Sequence, residues 1–92
     1  MDFQNKIVVI TGGAGGIGRA AGQIMGRQGA RLFITDVGCD AGEEAAAHWR
    51  EGGIDALFIP ADLTEVSQIR ALFRRVEEQA GYVDVLVTCA GI

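Results

Sequence analysis

The stretch Ile7-Val8-Val9-Ile10-Thr11-Gly12-Gly13-Ala14-Gly15-Gly16-Ile17-Gly18 decides how this chain is read. Its first four residues are apolar and β-branched. They run continuously rather than in alternation, as in a strand buried on both faces of a parallel sheet. From Ile17 the period changes. Ile17, Ala20, Ala21, Ile24 and Met25 fall at i, i+3, i+4, i+7 and i+8, the spacing of one helix face. Between the two lie five glycines in the seven residues 12–18. A strand that turns sharply into a helix and brings its backbone close to a ligand has no room there for side chains. The helix that follows aims its free first-turn N–H groups and the positive end of its dipole at the loop, which suits an anion.

Working outward, the same alternation repeats. Apolar runs at Arg31–Thr35, Ala56–Pro60 and Val83–Thr88 read as further strands. Val66, Ile69, Leu72, Phe73, Val76 and Ala80 form a second helical stripe, and Ala41, Ala45, Ala46 and Trp49 a weaker one. Gly29, Gly52–Gly53 and Gly81 stand where helices end. Asp40 with Glu43 has the spacing of a capping box, and Thr64 is a candidate cap for the third helix. The sum is β-α-β-α-β-α-β, with right-handed crossovers between parallel strands.

The chain has 92 residues, 14 of them glycine, and a net charge of −4. This length allows one domain with a thin core. The acidic balance, with no basic run, argues against a nucleic-acid surface. No apolar stretch approaches the ~20 residues of a membrane span. The four-residue run at Ile7–Ile10 is shorter than the roughly 7–15 residues of a leader core. A cytoplasmic location is therefore expected, with no membrane partner. Cys39 and Cys89 form no C-x-x-C and would sit on strands about 10 Å apart. That is beyond the ~7 Å reach of a disulfide. An intrachain bridge is not expected, and no metal ligands are assigned.

The glycine turn carries two overlapping spacings. Gly13, Gly15 and Gly18 fit G-x-G-x-x-G, and Gly12, Gly16 and Gly18 fit T-G-x-x-x-G-x-G. Between a strand and an amphipathic helix, either spacing points to a dinucleotide. A phosphate-loop NTPase is excluded, since no Lys-Ser or Lys-Thr follows the glycines. Asp36 ends the second strand, 18 residues after Gly18, where a carboxylate accepts hydrogen bonds from the adenosine ribose. It would repel a 2′-phosphate, and no Arg or Lys stands at positions 15, 37 or 38 to attract one. NAD is therefore expected over NADP. Asp62, after the third strand, reads either as a ligand contact or as a residue shaping the start of the third helix. The pattern is half of a Rossmann fold. One half-domain over residues 1–92 is expected, its parallel sheet in strand order 3-2-1-4.

These residues together resemble the short-chain dehydrogenases/reductases. The likeness is carried by TGGAGGIG (Thr11–Gly18), Asp36, ADLT (Ala61–Thr64) and VDVLVTCAGI (Val83–Ile92). It implies that Gly12, Gly16, Ile17 and Gly18 line the pyrophosphate. It places the ribose on Asp36, the adenine against Asp62 and the Leu63 backbone, and the cofactor's centre along Ala90 and Gly91. Thr11 would tie the first turn to the fourth strand. The T-G-x-x-x-G-I-G spacing and the terminal Ala-Gly-Ile argue against S-adenosylmethionine, the other nucleotide with a glycine turn and a strand-end acid.

The chain departs from the family pattern in two ways. Thr88-Cys89-Ala90-Gly91 stands where the family has Asn-Asn-Ala-Gly, so the side-chain bonds of the usual Asn pair cannot all be made. The family's chemistry is also missing from these 92 residues. Its hydride transfer resembles acid–base catalysis by a Tyr, with a Lys four residues later lowering the Tyr pKa and a Ser polarising the carbonyl. Here Tyr82, Lys6 and Ser67 are single copies, and Leu86 stands four residues after Tyr82. No catalytic residue is assigned, and His48 reads as a surface residue. Two functions are open: the NAD(H)-binding half of such an oxidoreductase, or a dinucleotide-binding module without turnover. The first two helices would cover one face of the sheet and the third the other. Apolar surface near the first and fourth strands would stay bare, and the fourth strand would be an open edge. A homo-oligomer is expected to cover them.

Overall fold

A computed structural model describes residues 3–12 and 15–88. The elements alternate as β1 (Ile7–Thr11), α1 (Gly16–Arg27), β2 (Arg31–Thr35), α2 (Cys39–Glu51), β3 (Asp55–Phe58), α3 (Val66–Ala80) and β4 (Val85–Thr88). All strand pairs are parallel, and the sheet order is β3-β2-β1-β4. This is the α/β, Rossmann-type architecture and the strand order expected from the sequence. β1 lies at the centre of the glycine-turn unit and is buried along its whole length.

The sheet divides two apolar layers. On one side Val8, Ile10, Leu32, Ile34, Ala56 and Phe58 pack with Met25, Ala45, Ala46 and Trp49 of α1 and α2. On the other, Ile7, Val9 and Phe33 pack with Leu72 and Val76 of α3. β1 is thus covered on both faces, which corrects the expectation of bare apolar surface beside it. Among the described residues the uncovered face belongs to β4. There Val85 and Val87 lean on the first layer, while Leu86, on the α3 side, is 51% exposed.

The buried face of α1 differs from the apolar stripe. Gly18, Gly22, Met25 and Gly26 are buried, whereas Ile17 and Ile24 are 63% and 59% exposed. Glycine carries no hydropathy signal, but a helix face without side chains lets neighbouring elements reach its backbone. Trp49 of α2 lies against Gly22, and Ile54 lies against Gly26. Gly42 in α2 likewise receives the ring of Phe58.

Helix ends follow the glycine signals but not the cap signals. Gly29 and Gly53, just past the caps of α1 and α2, have φ of 96° and 87°, and Gly81 closes α3 at φ 86°. The capping-box reading of Asp40–Glu43 is overturned. Gly42 donates its N–H to the Gly38 carbonyl, so α2 starts with Gly38 as N-cap and Asp40 falls inside its first turn. There the carboxylate faces the helix dipole favourably. Thr64 is not the cap of α3 either. That position belongs to Glu65, which makes no side-chain cap bond.

β3 ends at Phe58, before Pro60, which has no N–H to donate. β4 starts later than expected because Asp84 replaces ladder pairing with a side-chain clasp. Its carboxylate accepts the Ile7 N–H at 2.8 Å, and its own N–H donates to the Ile7 carbonyl at 2.9 Å.

A side chain at position 22 must displace the buried indole. Gly22→Ala is expected to lower stability by about 1–3 kcal/mol in urea unfolding, despite the ~1 kcal/mol helix-propensity gain. Ala41→Gln on the exposed side of α2 should stay within about 0.5 kcal/mol. Equal midpoints for Gly22→Ala and the parent would contradict the packing.

Candidate functional site

The strand-end residues meet along the carboxyl edge of the sheet. Gly12 follows β1 at φ 71° and donates its N–H to the Thr35 carbonyl at 2.8 Å. The ladder between β1 and β2 thereby extends one residue into the turn, in a backbone region that favours glycine. The turn is closed by the Gly15 N–H, which donates to the Gly12 carbonyl at 3.2 Å. Gly15 is the N-cap of α1 and offers no side-chain cap to the helix's first N–H groups. At Gly16 an added Cβ would meet nothing within 4 Å, so the backbone there faces open space. Gly16 and Ile17 are exposed, while Gly18 is buried. Among the described residues the start of α1 is uncapped and free of obstructing side chains, an arrangement that could hold an anionic group.

Asp36 leaves β2 beside this turn. One carboxylate oxygen, Oδ1, accepts the Val37 N–H at 2.8 Å, which orients the side chain and leaves Oδ2 for another donor. Its carbonyl accepts the Ala61 N–H at 3.2 Å, which ties the segment after β3 to the end of β2. Gly12, Gly16, Ile17, Gly18, Asp36, Asp62 and Leu63 are therefore carried by adjacent strand ends. Ala90 and Gly91, also expected at this site, lie outside the described residues, as do Gly13, Ala14 and Cys89.

Asp62 organises the loop before α3. Its Oδ1 accepts both the Thr64 hydroxyl at 2.7 Å and the Thr64 N–H at 3.0 Å. Thr64, read from sequence as a helix cap, instead serves this Asx-type turn. The hydroxyl bond first, and the N–H bond second, hold the Asp62 carboxyl below its ordinary value of 3.8. The Asp62 N–H donates to Gln68 Oε1 at 2.6 Å, a brace that spacing gave no reason to single out. Leu63 packs its side chain against the layer under α3, which leaves its backbone on the loop. Thr11 donates to the Val87 carbonyl at 3.4 Å, the tie to β4 that the resemblance implied.

The remaining chemistry-bearing residues do not converge. Lys6 precedes β1 and Tyr82 precedes β4, both at the amino edge of the sheet, while Ser67 sits in the first turn of α3 near the opposite edge. His48 is exposed, beside a surface depression of about 290 Å³ between α1 and α2 that is also lined by Arg19, Gln23 and Trp49. Among the described residues no cluster could hold a metal ion, and no helix is long and apolar enough to cross a membrane.

Comparison with known proteins gives this edge its context. The family model described as short chain dehydrogenase matches residues 6–92. The chain belongs to that family. It is 36% identical over 90 residues to an uncharacterized oxidoreductase of Bacillus subtilis, covering 98% of this chain and 35% of that protein. It is 33% identical over 89 residues to the 3-hydroxyacyl-CoA dehydrogenase type-2 of Drosophila melanogaster, covering 97% and 34%. A short-chain dehydrogenase/reductase from Burkholderia phymatum, solved in complex with NAD, superimposes with a TM-score of 0.89 at 29% identity. That match covers 94% of this chain and 31% of the other. The chain spans about a third of the length of the curated relatives it matches. Short-chain dehydrogenases are oxidoreductases that use a nicotinamide cofactor, and the four parallel strands and three helices described above are the part of that fold present here.

A carboxyl held below its ordinary value stabilises the fold in its ionised form. The Asp62 contribution is present above the unfolded value of about 3.8 and is lost as pH falls through the lower folded value. Thr64→Val should raise the Asp62 pKa toward 3.8 in an NMR carboxyl titration. An unmoved titration would contradict the role given to the Thr64 hydroxyl.

Proposed function

We propose that this chain binds NAD(H) as the cofactor-binding half of a short-chain oxidoreductase, whose reaction moves a hydride between the nicotinamide and a carbonyl or alcohol. The observation that carries the reading is the shared edge. An uncapped helix N-terminus behind Gly12–Gly16 stands beside Asp36, and the two are joined by the Gly12–Thr35 hydrogen bond. The open space at Gly16 and the free Asp36 oxygen fit a pyrophosphate and a ribose on one ligand. Gly12, Gly16, Ile17 and Gly18 take the pyrophosphate, Asp36 the ribose hydroxyls, and Asp62 with the Leu63 backbone the adenine. Ala90 and Gly91 take the cofactor's centre. The bound nicotinamide supplies or accepts the hydride; this chain's residues bind and orient it.

NAD is the favoured form. The Asp36 charge opposes a 2′-phosphate, and the next residue is the exposed, uncharged Val37. The NAD complex of the Burkholderia relative supports the same choice.

A second reading rests on the scattered Tyr82, Lys6 and Ser67: a cofactor-binding module with no turnover of its own. An NADH-oxidation assay over a panel of carbonyl compounds, on protein shown to bind NADH, separates the two. Turnover abolished by Gly16→Val supports the enzyme, and binding without turnover supports the module.

In fluorescence titration NADH should bind more tightly than NADPH, and Asp36→Ala should narrow the gap. Gly16→Val should weaken NADH binding by about tenfold or more, because its side chain enters the phosphate cradle. Tighter binding of NADPH to the parent would sink the NAD assignment.

We assign the β4 edge, unpaired among the described residues, with Leu86 beside it, to contact with a second copy of this chain. Leu86→Glu should lower the sedimentation-derived mass toward that of a monomer. A parent that sediments as a monomer at micromolar concentration would overturn the assignment.

A further inference from the structure

Thr35 closes β2 directly before Asp36. It is fully buried, and its Oγ1 has no hydrogen-bond partner. A buried hydroxyl without a partner loses its water and gains nothing in return. Its surroundings make this sharper. Residues two apart on a strand share a face, so Thr35 stands with Phe33 and Thr11 with Val9. Phe33 and Val9 both belong to the apolar layer under α3, with Ile59 and Ala61. That layer offers the hydroxyl no acceptor of its own.

The register puts one polar group next to it. Thr35 is level with Thr11 on β1, and Thr11 is level with Thr88 on β4. Neighbouring strands lie about 4.8 Å apart. Thr11 is also buried, and it spends its proton on the Val87 carbonyl at 3.4 Å, the long end of the hydrogen-bond range. A hydroxyl that donates still has lone pairs to accept with. The Thr11 oxygen is the side-chain acceptor level with Thr35 on the neighbouring strand, and in this structure the two hydroxyls are not hydrogen-bonded.

Each threonine precedes a ligand-binding residue: Gly12 follows Thr11, and Asp36 follows Thr35. The two segments are already joined by the Gly12 N–H on the Thr35 carbonyl. A dinucleotide that spans from the Gly12 turn to Asp36 holds both strand ends at one separation. We propose that Thr35 is a positioning residue for the cofactor. In the loaded protein its hydroxyl donates to Thr11 Oγ1, completing a relay from Thr35 through Thr11 to the Val87 carbonyl. The relay runs from β2 across β1 to β4, linking the ribose end of the site to the strand that leads into Ala90 and Gly91.

This inference rests on the cofactor reading above. It requires Thr35→Val, nearly the same shape without the hydroxyl, to act in opposite directions on the two states. The cofactor-free variant should melt at a higher temperature than the parent. Its NADH dissociation constant should rise by about three- to tenfold, the worth of one buried hydrogen bond. Thr35→Ser, which keeps the hydroxyl, should restore binding. In a Thr11→Val background, Thr35→Val should cause no further loss.

A Thr35→Val that binds NADH like the parent overturns the inference and leaves the cofactor reading standing. One that fails to fold or melts lower also overturns it, since the hydroxyl then has a partner without cofactor. So does a loss of binding that Thr35→Ser fails to restore, or losses that add independently of Thr11. A parent protein that does not bind NADH brings down the cofactor reading first and this inference with it.

Discussion

The hydrogen bond from the Gly12 N–H to the Thr35 carbonyl, 2.8 Å long, is the interaction on which the rest depends. It is the last rung of the β1–β2 ladder and the first bond of the glycine turn. To make it, Gly12 adopts φ 71°, a backbone region costly for any residue with a side chain. Once it is made, Gly12 is tied to the end of β2, and Asp36 emerges beside it. A second such tie, from Ala61 to the Asp36 carbonyl, brings the Asp62 loop into the same row. The candidate site is thus a consequence of parallel pairing: strands that run the same way deliver all their ends to one edge.

Close packing keeps that edge in place. The layer above the sheet holds two helices over three strands. It does so at short distance because Gly22, Gly26 and Gly42 admit Trp49, Ile54 and Phe58 against helix backbone. The opposite layer depends on α3 alone, through Leu72 and Val76. It covers β1 and β2 but stops short of Leu86 on β4. The uneven cover explains why β1, with neighbours on both sides, is buried throughout while β4 alternates between half-buried and exposed.

Much of this was legible in the residues. Continuous Val/Ile runs, glycines at the helix ends and the T-G-x-x-x-G-I-G turn specified the element order and the parallel sheet, and singled out candidate residues along its carboxyl edge. The failures share a cause. The caps expected at Asp40 and Thr64 follow from residue type and, for Asp40, its spacing to Glu43, but a cap depends on where the first helical bond forms. The Gly42-to-Gly38 bond moved the start of α2 upstream, and the Asp62 carboxylate claimed Thr64. The face of α1 was read from apolar spacing, which is blind to glycine. Asp84 gave no spacing signal because its partner, Ile7, lies 77 residues away, and Thr35 gave none because a missing partner leaves no mark in the sequence; Gln68 is six residues from Asp62, but no cap or helix-face spacing links the two.

By itself the sequence determined the local backbone preferences: which segments extend, which coil, and where only glycine fits. Those preferences follow from steric and hydrophobic periodicities within about ten residues of each position. They were enough to place the strand, the turn and the acid of the candidate site in order. Tertiary structure decided what each side chain meets. It set Thr11 opposite Thr35, clasped Asp84 to Ile7, turned the glycine face of α1 inward and left Leu86 half exposed. Those outcomes depend on register and on packing across the sheet, where the contacting groups lie up to 77 residues apart in the chain.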